Sequence, residues 1–275
     1  MSSPPYLPFL DGHRGTEFRW RLGVRPLDLV NWIEWGPDAE AALAYKTELN
    51  DRHPDTVFAV LEDVVPEATE IAEAIATHVD GELCPDLHPL DAAARLVPED
   101  LVMMVEREGC LVFGGGSVCF PNRWDLRSKL GSTMAEVHAP VALLNAQLEG
   151  PVDRFFERLR PERSFWRLGW GILDTGDWYT PLDGTASPRP PDPMPDELYL
   201  RVERETLRRF PRTNAVLFTI RTYVTPLDAA VATPAGRAQL ADALDNMPSD
   251  VRAYKDLAET TDRIVTHLRV SSPPH

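Results

Sequence analysis

No stretch of this 275-residue chain reaches the roughly eighteen consecutive apolar residues that a membrane span requires. The opening Met1-Ser2-Ser3-Pro4-Pro5 has neither the basic nor the apolar region of a secretory leader, so a cytoplasmic protein is expected. Cysteine is scarce. Cys84, Cys110 and Cys119 lack Cys-x-x-Cys spacing, which argues against a disulfide framework and against a zinc or iron–sulfur site, and Cys110 and Cys119 are expected as buried free thiols. Positive charge is also in deficit: the formal charge of −15 would repel nucleic acid and anionic membrane surfaces alike, so neither is expected as a partner. Gly114-Gly115-Gly116 is not followed by Gly-Lys-Ser/Thr, and there is no His-Glu-x-x-His, no Gly-x-Ser-x-Gly and no dinucleotide fingerprint. A phosphate loop, a zinc hydrolase, a serine hydrolase and an NADPH site on this chain are therefore not expected.

What is present is the make-up of a soluble globular protein, 43% hydrophobic and 26% charged, in a chain long enough to bury a core and a ligand cavity. Residues 1–25 read as an extended aromatic arm packing over a core. A helical region follows, with apolar spacing from Asp28 to Ile33, a fresh helix start at Pro37-Asp38 and an amphipathic helix over Pro66 to Val79. The loop from Cys84 to Pro89 carries His88, a minor ligand candidate. Val102 to Val105 and Leu111 to Phe113, joined by Arg107-Glu108-Gly109, predict a β-hairpin whose second arm ends in the glycine triplet. Beyond it Arg123, Trp124, Lys129 and His138 leave one sheet edge within twenty residues, His138 closing a short helical turn stopped by Pro140.

A helix carrying Leu143, Leu144, Leu148, Phe155, Phe156 and Leu159 should come next. A β-like segment from Phe165 to Leu173 and a Pro/Gly-rich loop from Thr180 to Glu197 follow it. In Tyr199 to Leu207 a period of two sends Arg201, Glu203 and Glu205 to one face and Val202, Arg204 and Thr206 to the other. Ala215 to Val224 likewise sets Thr219, Arg221 and Tyr223 opposite Phe218, Ile220 and Thr222. The connection between them is expected to be a hairpin loop with Arg208, Arg209 and Arg212 at its tip. Helices over Ala235 to Asn246 and Val251 to Leu268 complete a helix, sheet, helix order, which is α+β rather than a βαβ alternation.

The block from Glu99 to His138, and a second from Arg201-Val202-Glu203-Arg204-Glu205-Thr206-Leu207 through Pro211 to Leu217-Phe218-Thr219-Ile220-Arg221-Thr222-Tyr223, resemble the α subunit of haem-dependent oxidative N-demethylases. Residues 5 to 268 can be laid along that family's pattern. The resemblance implies a PAS-like antiparallel sheet with a helical cap and C-terminal helices. It divides the chain as a single haem-binding domain into an arm (1–25), a cap (26–98), a sheet core (99–227), C-terminal helices (228–268) and a tail (269–275). It further implies haem b, dioxygen and a small amine as cofactor and substrates, in an oxidative N-demethylation or related N-oxidation. Electrons would come from NADPH through a reductase or ferredoxin-type partner carrying flavin and an iron–sulfur centre; the cysteine pattern puts that centre on another chain.

On this resemblance His138 is the axial ligand of the iron, a role in which the second ring nitrogen needs an acceptor to hold it. On the residues alone, without the resemblance, a satisfied core histidine is the favoured reading. Arg123 and Lys129 are expected at the haem propionates, with Arg127 as substitute and Arg204 as a further cofactor contact. Glu203 and Glu205, partnered by Arg204, Arg221 and Tyr223, are the candidates for orienting the amine and polarising the site; a structural Arg–Glu ladder across the hairpin accounts for them as well. Glu205 departs from the glutamine more usual in the family, which bears on the substrate rather than the haem. Two other outcomes remain open at this point, a non-enzymatic haem PAS sensor of gas or redox state and a family fold that has lost its haem.

Overall fold

The computed structural model describes residues 5–7, 23–137, 152, 154–182 and 193–270. Seven strands form one antiparallel sheet: β1 (Arg25–Leu27), β2 (Phe58–Val60), β3 (Asp100–Arg107), β4 (Cys110–Ser117), β5 (Ser164–Leu173), β6 (Tyr199–Arg209) and β7 (Val216–Pro226). Their order is β1-β5-β6-β7-β3-β4-β2. With the helices around it this is the α+β class expected from the sequence. Counted from Asp100, the last five strands lie in the order second, first, fifth, fourth, third, and the connection from second to third is the long segment 118–163.

Period-2 alternation gives the sheet two chemically distinct faces. On one, which we call the helical face, Leu101, Met103, Val105 and Leu217 meet Ile71, Ala72 and Ile75 of α3 (Val65–Val79) and Leu90 of α4 (Pro89–Ala94). Further along the same face Leu200, Val202 and Tyr223 meet Leu227 of α6 (Leu227–Ala230), Leu240 and Leu244 of α7 (Pro234–Asp245) and Ile264 of α9 (Thr261–Val270). On the other, the connector face, Val102, Met104, Leu207, Val216 and Phe218 are covered by Val118, Leu126, Phe156 and Leu159 from the long connection. Burial on both sides explains why β7 reads as a nearly continuous β-branched and aromatic run.

The structure corrects several expectations. The cap region contributes α1 (Ala39–Arg52), α2 (Pro54–Val57), α3 and α4, but also β1 and β2, which close the two edges of the sheet, and Leu29–Asn31 forms only a 3-10 turn. Arg208 and Arg209 are still within β6; only Arg212 lies in the turn, where its N–H and that of Thr213 donate to Glu70 of α3, both at 2.9 Å. The last predicted helix is two, α8 (Ser249–Tyr254) and α9, separated by Asp256 in the left-handed region at φ 60°. Cys119 is buried, its thiol pushed up to about 12 chiefly by desolvation, but Cys110 is exposed because it lies at the hairpin tip, beyond the core. Of the predicted helix after His138, residues 154–158 are helical and the part from Leu143 to Leu148 lies outside the described residues.

As expected, the second arm of the hairpin, β4, ends in the glycine triplet, with only Ser117 after it. The pairing of β3 with β4 shifts between Met103 and Met104, leaving Gly114 as the extra residue of a bulge. Gly115 has φ +151°, and a Cβ there would come within 2.7 Å of the Ala59 carbonyl oxygen and of Val60 Cα, because β2 lies directly against it. Gly115→Ala should therefore cost about 1–3 kcal/mol of stability. Urea denaturation checks this, with a midpoint equal to that of the wild type as the contrary result.

Candidate functional site

A strand with charge on both faces is costly unless each charge has its own partner, and β6 divides its charges accordingly. Arg204, on the helical face, places Nε 2.8 Å from Glu34 Oε2 and donates from Nη1 to the Trp32 carbonyl at 3.3 Å and from Nη2 to that of Asn31 at 2.5 Å. Tyr6 donates to Glu34 Oε2 at 2.8 Å and Tyr223 donates to Glu34 Oε1. Burial and the Glu34 carboxylate push the Tyr6 phenol up to about 12 and that of Tyr223 well above its ordinary value. Arg221, fully buried, donates to Asp38 Oδ1 at 2.5 Å and lies over the Tyr223 ring at 4.7 Å. These side chains tie the segment from Asn31 to Asp38 to the sheet.

Glu203 and Glu205 are on the connector face. The register makes Arg167 the cross-strand partner of Glu205, Gly169 that of Glu203 and Gly171 that of Arg201. Arg167 holds Glu205 through two parallel bonds, Nε to Oε2 at 2.8 Å and Nη2 to Oε1 at 3.1 Å. The Glu205 charge raises the Arg167 pKa further. Arg201 donates from Nε to Glu203 Oε1 at 2.7 Å and from Nη2 to the Phe120 carbonyl at 2.5 Å. Glu203 Oε2 and Glu205 Oε1 then converge above Gly169: a Cβ at that glycine would be 3.4 Å from the first and 3.2 Å from the second. A Cβ on Gly171 would meet nothing within 4 Å. The result is a hollow floored by two glycines, and Arg167, although on an inner strand of the seven, keeps 35% of its side-chain surface exposed toward solvent.

One end of this face is apolar. Phe165, Leu207, Phe218 and Ile220 continue the same rows on β5, β6 and β7, with Phe155 against Phe165 at 5.2 Å and Phe156 against Phe218 at 5.9 Å between ring centroids. Trp124, Leu130, Met134 and Val137 pack on this cluster, the last two from α5 (Met134–Val137). His138, the residue that follows α5, lies outside the described residues. The opposite rim is formed by β5 beyond Trp166, where among the described residues β1 no longer pairs with it. There Lys255 donates to the Trp170 carbonyl at 2.5 Å; desolvation lowers its pKa while the nearby Glu203 opposes that. The Tyr254 phenol is raised, by burial first and then by Glu203.

Of the residues singled out in the sequence, the structure brings Glu203 and Glu205 together and sets Arg204, Arg221 and Tyr223 across the sheet from them. Arg123 is ion-paired with Asp174, while Lys129 has no ion pair among the described residues. Arg127 reaches Asp55. His88 caps α4, its Nδ1 accepting from the Leu90 N–H at 3.3 Å, with its ring against Phe58. Arg201 was placed on the face of Glu203 and Glu205 but given no role, and Arg167, Gly169 and Lys255 were not identified from the sequence; a period of two through Phe165 to Leu173 would have put Arg167, Gly169 and Gly171 on one face. A separate cavity of about 480 Å³ between α3 and the β6–β7 turn contains Arg208, but its carboxylates Glu70 and Glu73 are already bonded to that turn. Among the described residues no three His, Cys, Asp or Glu side chains gather as a metal cluster.

A family model described as haem-dependent oxidative N-demethylase, alpha subunit-like, matches residues 77–265, from the end of α3 into α9 and including every residue of the hollow.

Proposed function

The chain belongs to that haem-dependent oxidative N-demethylase, alpha subunit-like family, and from this we propose that it is a haem-dependent oxidase that removes a methyl group from a small amine. The observation that carries the reading is the convergence of Glu203 Oε2 and Glu205 Oε1 on one point above Gly169. Two acceptor oxygens there match an ammonium with two N–H donors. The five-strand order from β3 to β7, with its long connection laid over one face, supports the PAS-like reading of the fold.

The residues present suit a porphyrin. The Phe165, Phe218 and Ile220 rows, with Trp124, Met134 and Val137 above them, offer an apolar wall, and the open floor at Gly171 leaves space that a side chain would fill. His138 would supply an imidazole nitrogen to the haem iron and Lys129 a cation for a propionate, whereas Arg123 could do so only by releasing Asp174. When bound, the haem supplies the dioxygen and one-electron chemistry. The balance is R–NH–CH3 + O2 + 2e− + 2H+ → R–NH2 + CH2O + H2O, with the electrons delivered by a partner reductase drawing on NADPH.

This chain's own part is orientation. Arg201 fixes Glu203 through Oε1 and leaves Oε2 to accept from the substrate; Arg167 grips the Glu205 carboxylate through two parallel bonds. The aromatic rows exclude water from the reacting carbon. Protein reconstituted with haemin should develop a Soret band, and with a reductase system and methylated amines it should release formaldehyde. His138→Ala should lose most of that band while still unfolding cooperatively. A panel of amines yielding no formaldehyde would remove the demethylase reading, and a gas-sensitive spectrum without turnover would favour a sensor.

A further inference from the structure

The charges around the hollow say more about the substrate than that it is an amine. Glu205 is already matched by Arg167 and Glu203 by Arg201, and Lys255 adds a third cation within electrostatic reach of Glu203. A simple alkylammonium would therefore bring an uncompensated positive charge to a site whose carboxylates are neutralised. Moreover, Arg167 spends only Nε and Nη2 on Glu205; its Nη1 makes no bond to any described residue, and 35% of the side-chain surface is exposed. The Lys255 ammonium donates one N–H to the Trp170 carbonyl, lies 5.2 Å from the centre of the Trp170 ring, and has no other hydrogen bond to a described residue. The Tyr254 hydroxyl is at the same rim.

Resting on the amine-oxidase reading above, we propose that the substrate carries its own carboxylate: an N-methyl amino acid, with its ammonium on Glu203 Oε2 and Glu205 Oε1 and its carboxylate on Arg167 Nη1 and the Lys255 ammonium. The zwitterion satisfies both ends of the hollow and leaves the local charge unchanged. A guanidinium with a free edge is suited to a carboxylate.

The test compares two probes of nearly the same shape on the full chain reconstituted with haem, by titration calorimetry. N-methylglycine has the carboxylate; N-methylglycinamide replaces it with a neutral amide. N-methylglycine is expected to bind about ten-fold tighter or more, the scale of one charge-assisted bond. Arg167→Gln should abolish the preference, and Lys255→Gln should reduce it. Equal or tighter binding of the amide overturns the carboxylate assignment while leaving an amine site intact. Heat from neither probe removes the amine reading together with it, and retention of the preference in both variants overturns the choice of residues.

Discussion

Arg204→Met is expected to cost about 3 kcal/mol of stability, read as a lower urea midpoint with an unchanged slope. The side chain is 4% exposed, and its guanidinium is the donor to Glu34 Oε2 and to the carbonyls of Asn31 and Trp32. Methionine fills similar space but leaves a carboxylate and two carbonyls without their donor. Breaking a buried pair from one side is what makes the loss large. The Tyr6 and Tyr223 hydroxyls still donate to Glu34, which keeps the cost at the lower end for such pairs. Adding Glu34→Gln should recover a good part of it, because the remaining partner then carries no charge. If Arg204→Met instead keeps its midpoint and loses bound haem, Arg204 serves the cofactor and its structural assignment fails.

That prediction marks where the sequence was legible and where it stopped. Alternation along β6 and β7 correctly places Glu203 with Glu205 and Arg221 with Tyr223, since a period of two is a property of the strand alone. Partners are a property of register. Glu205 meets Arg167, 38 residues earlier, and Arg204 meets Glu34, and neither spacing leaves a trace in local periodicity. The same holds for β1 and β2: three residues each are too few to show a period, and they exist because the sheet edges need covering. At the glycine triplet the closely approaching chain is β2, a partner that local pattern does not reveal. Arg221 and Tyr223 illustrate the cost of adjacency in sequence. They neighbour the carboxylates along the chain and are separated from them by the thickness of the sheet.

Glu99→Gln should abolish a fall in stability of about 3 kcal/mol that the wild type suffers between pH 4.5 and 7. Glu99 is wholly buried immediately before β3, and desolvation raises its pKa from 4.5 to about 7, against the opposing pull of the Glu34 N–H, Arg221 and Lys46. Its Oε1 accepts from the Glu34 N–H at 2.6 Å, while Oε2 has no partner among the described residues. Because the folded state holds this proton more tightly than the unfolded chain, the stabilisation is complete below pH 4.5 and is lost as pH rises through 7. Glutamine keeps the acceptor for the Glu34 N–H and has no proton to lose. Asp100, also buried and shifted upward by desolvation, contributes a slope of the same sign. The paired carboxylates Glu70 and Asp228, shifted downward, contribute the opposite slope at lower pH. All three are common to both proteins, so the difference between wild type and variant isolates Glu99. Urea midpoints taken from pH 5 to 8 should diverge steadily in favour of the variant, and a difference that stays constant with pH would mean that Glu99 titrates as an ordinary carboxylate despite its burial.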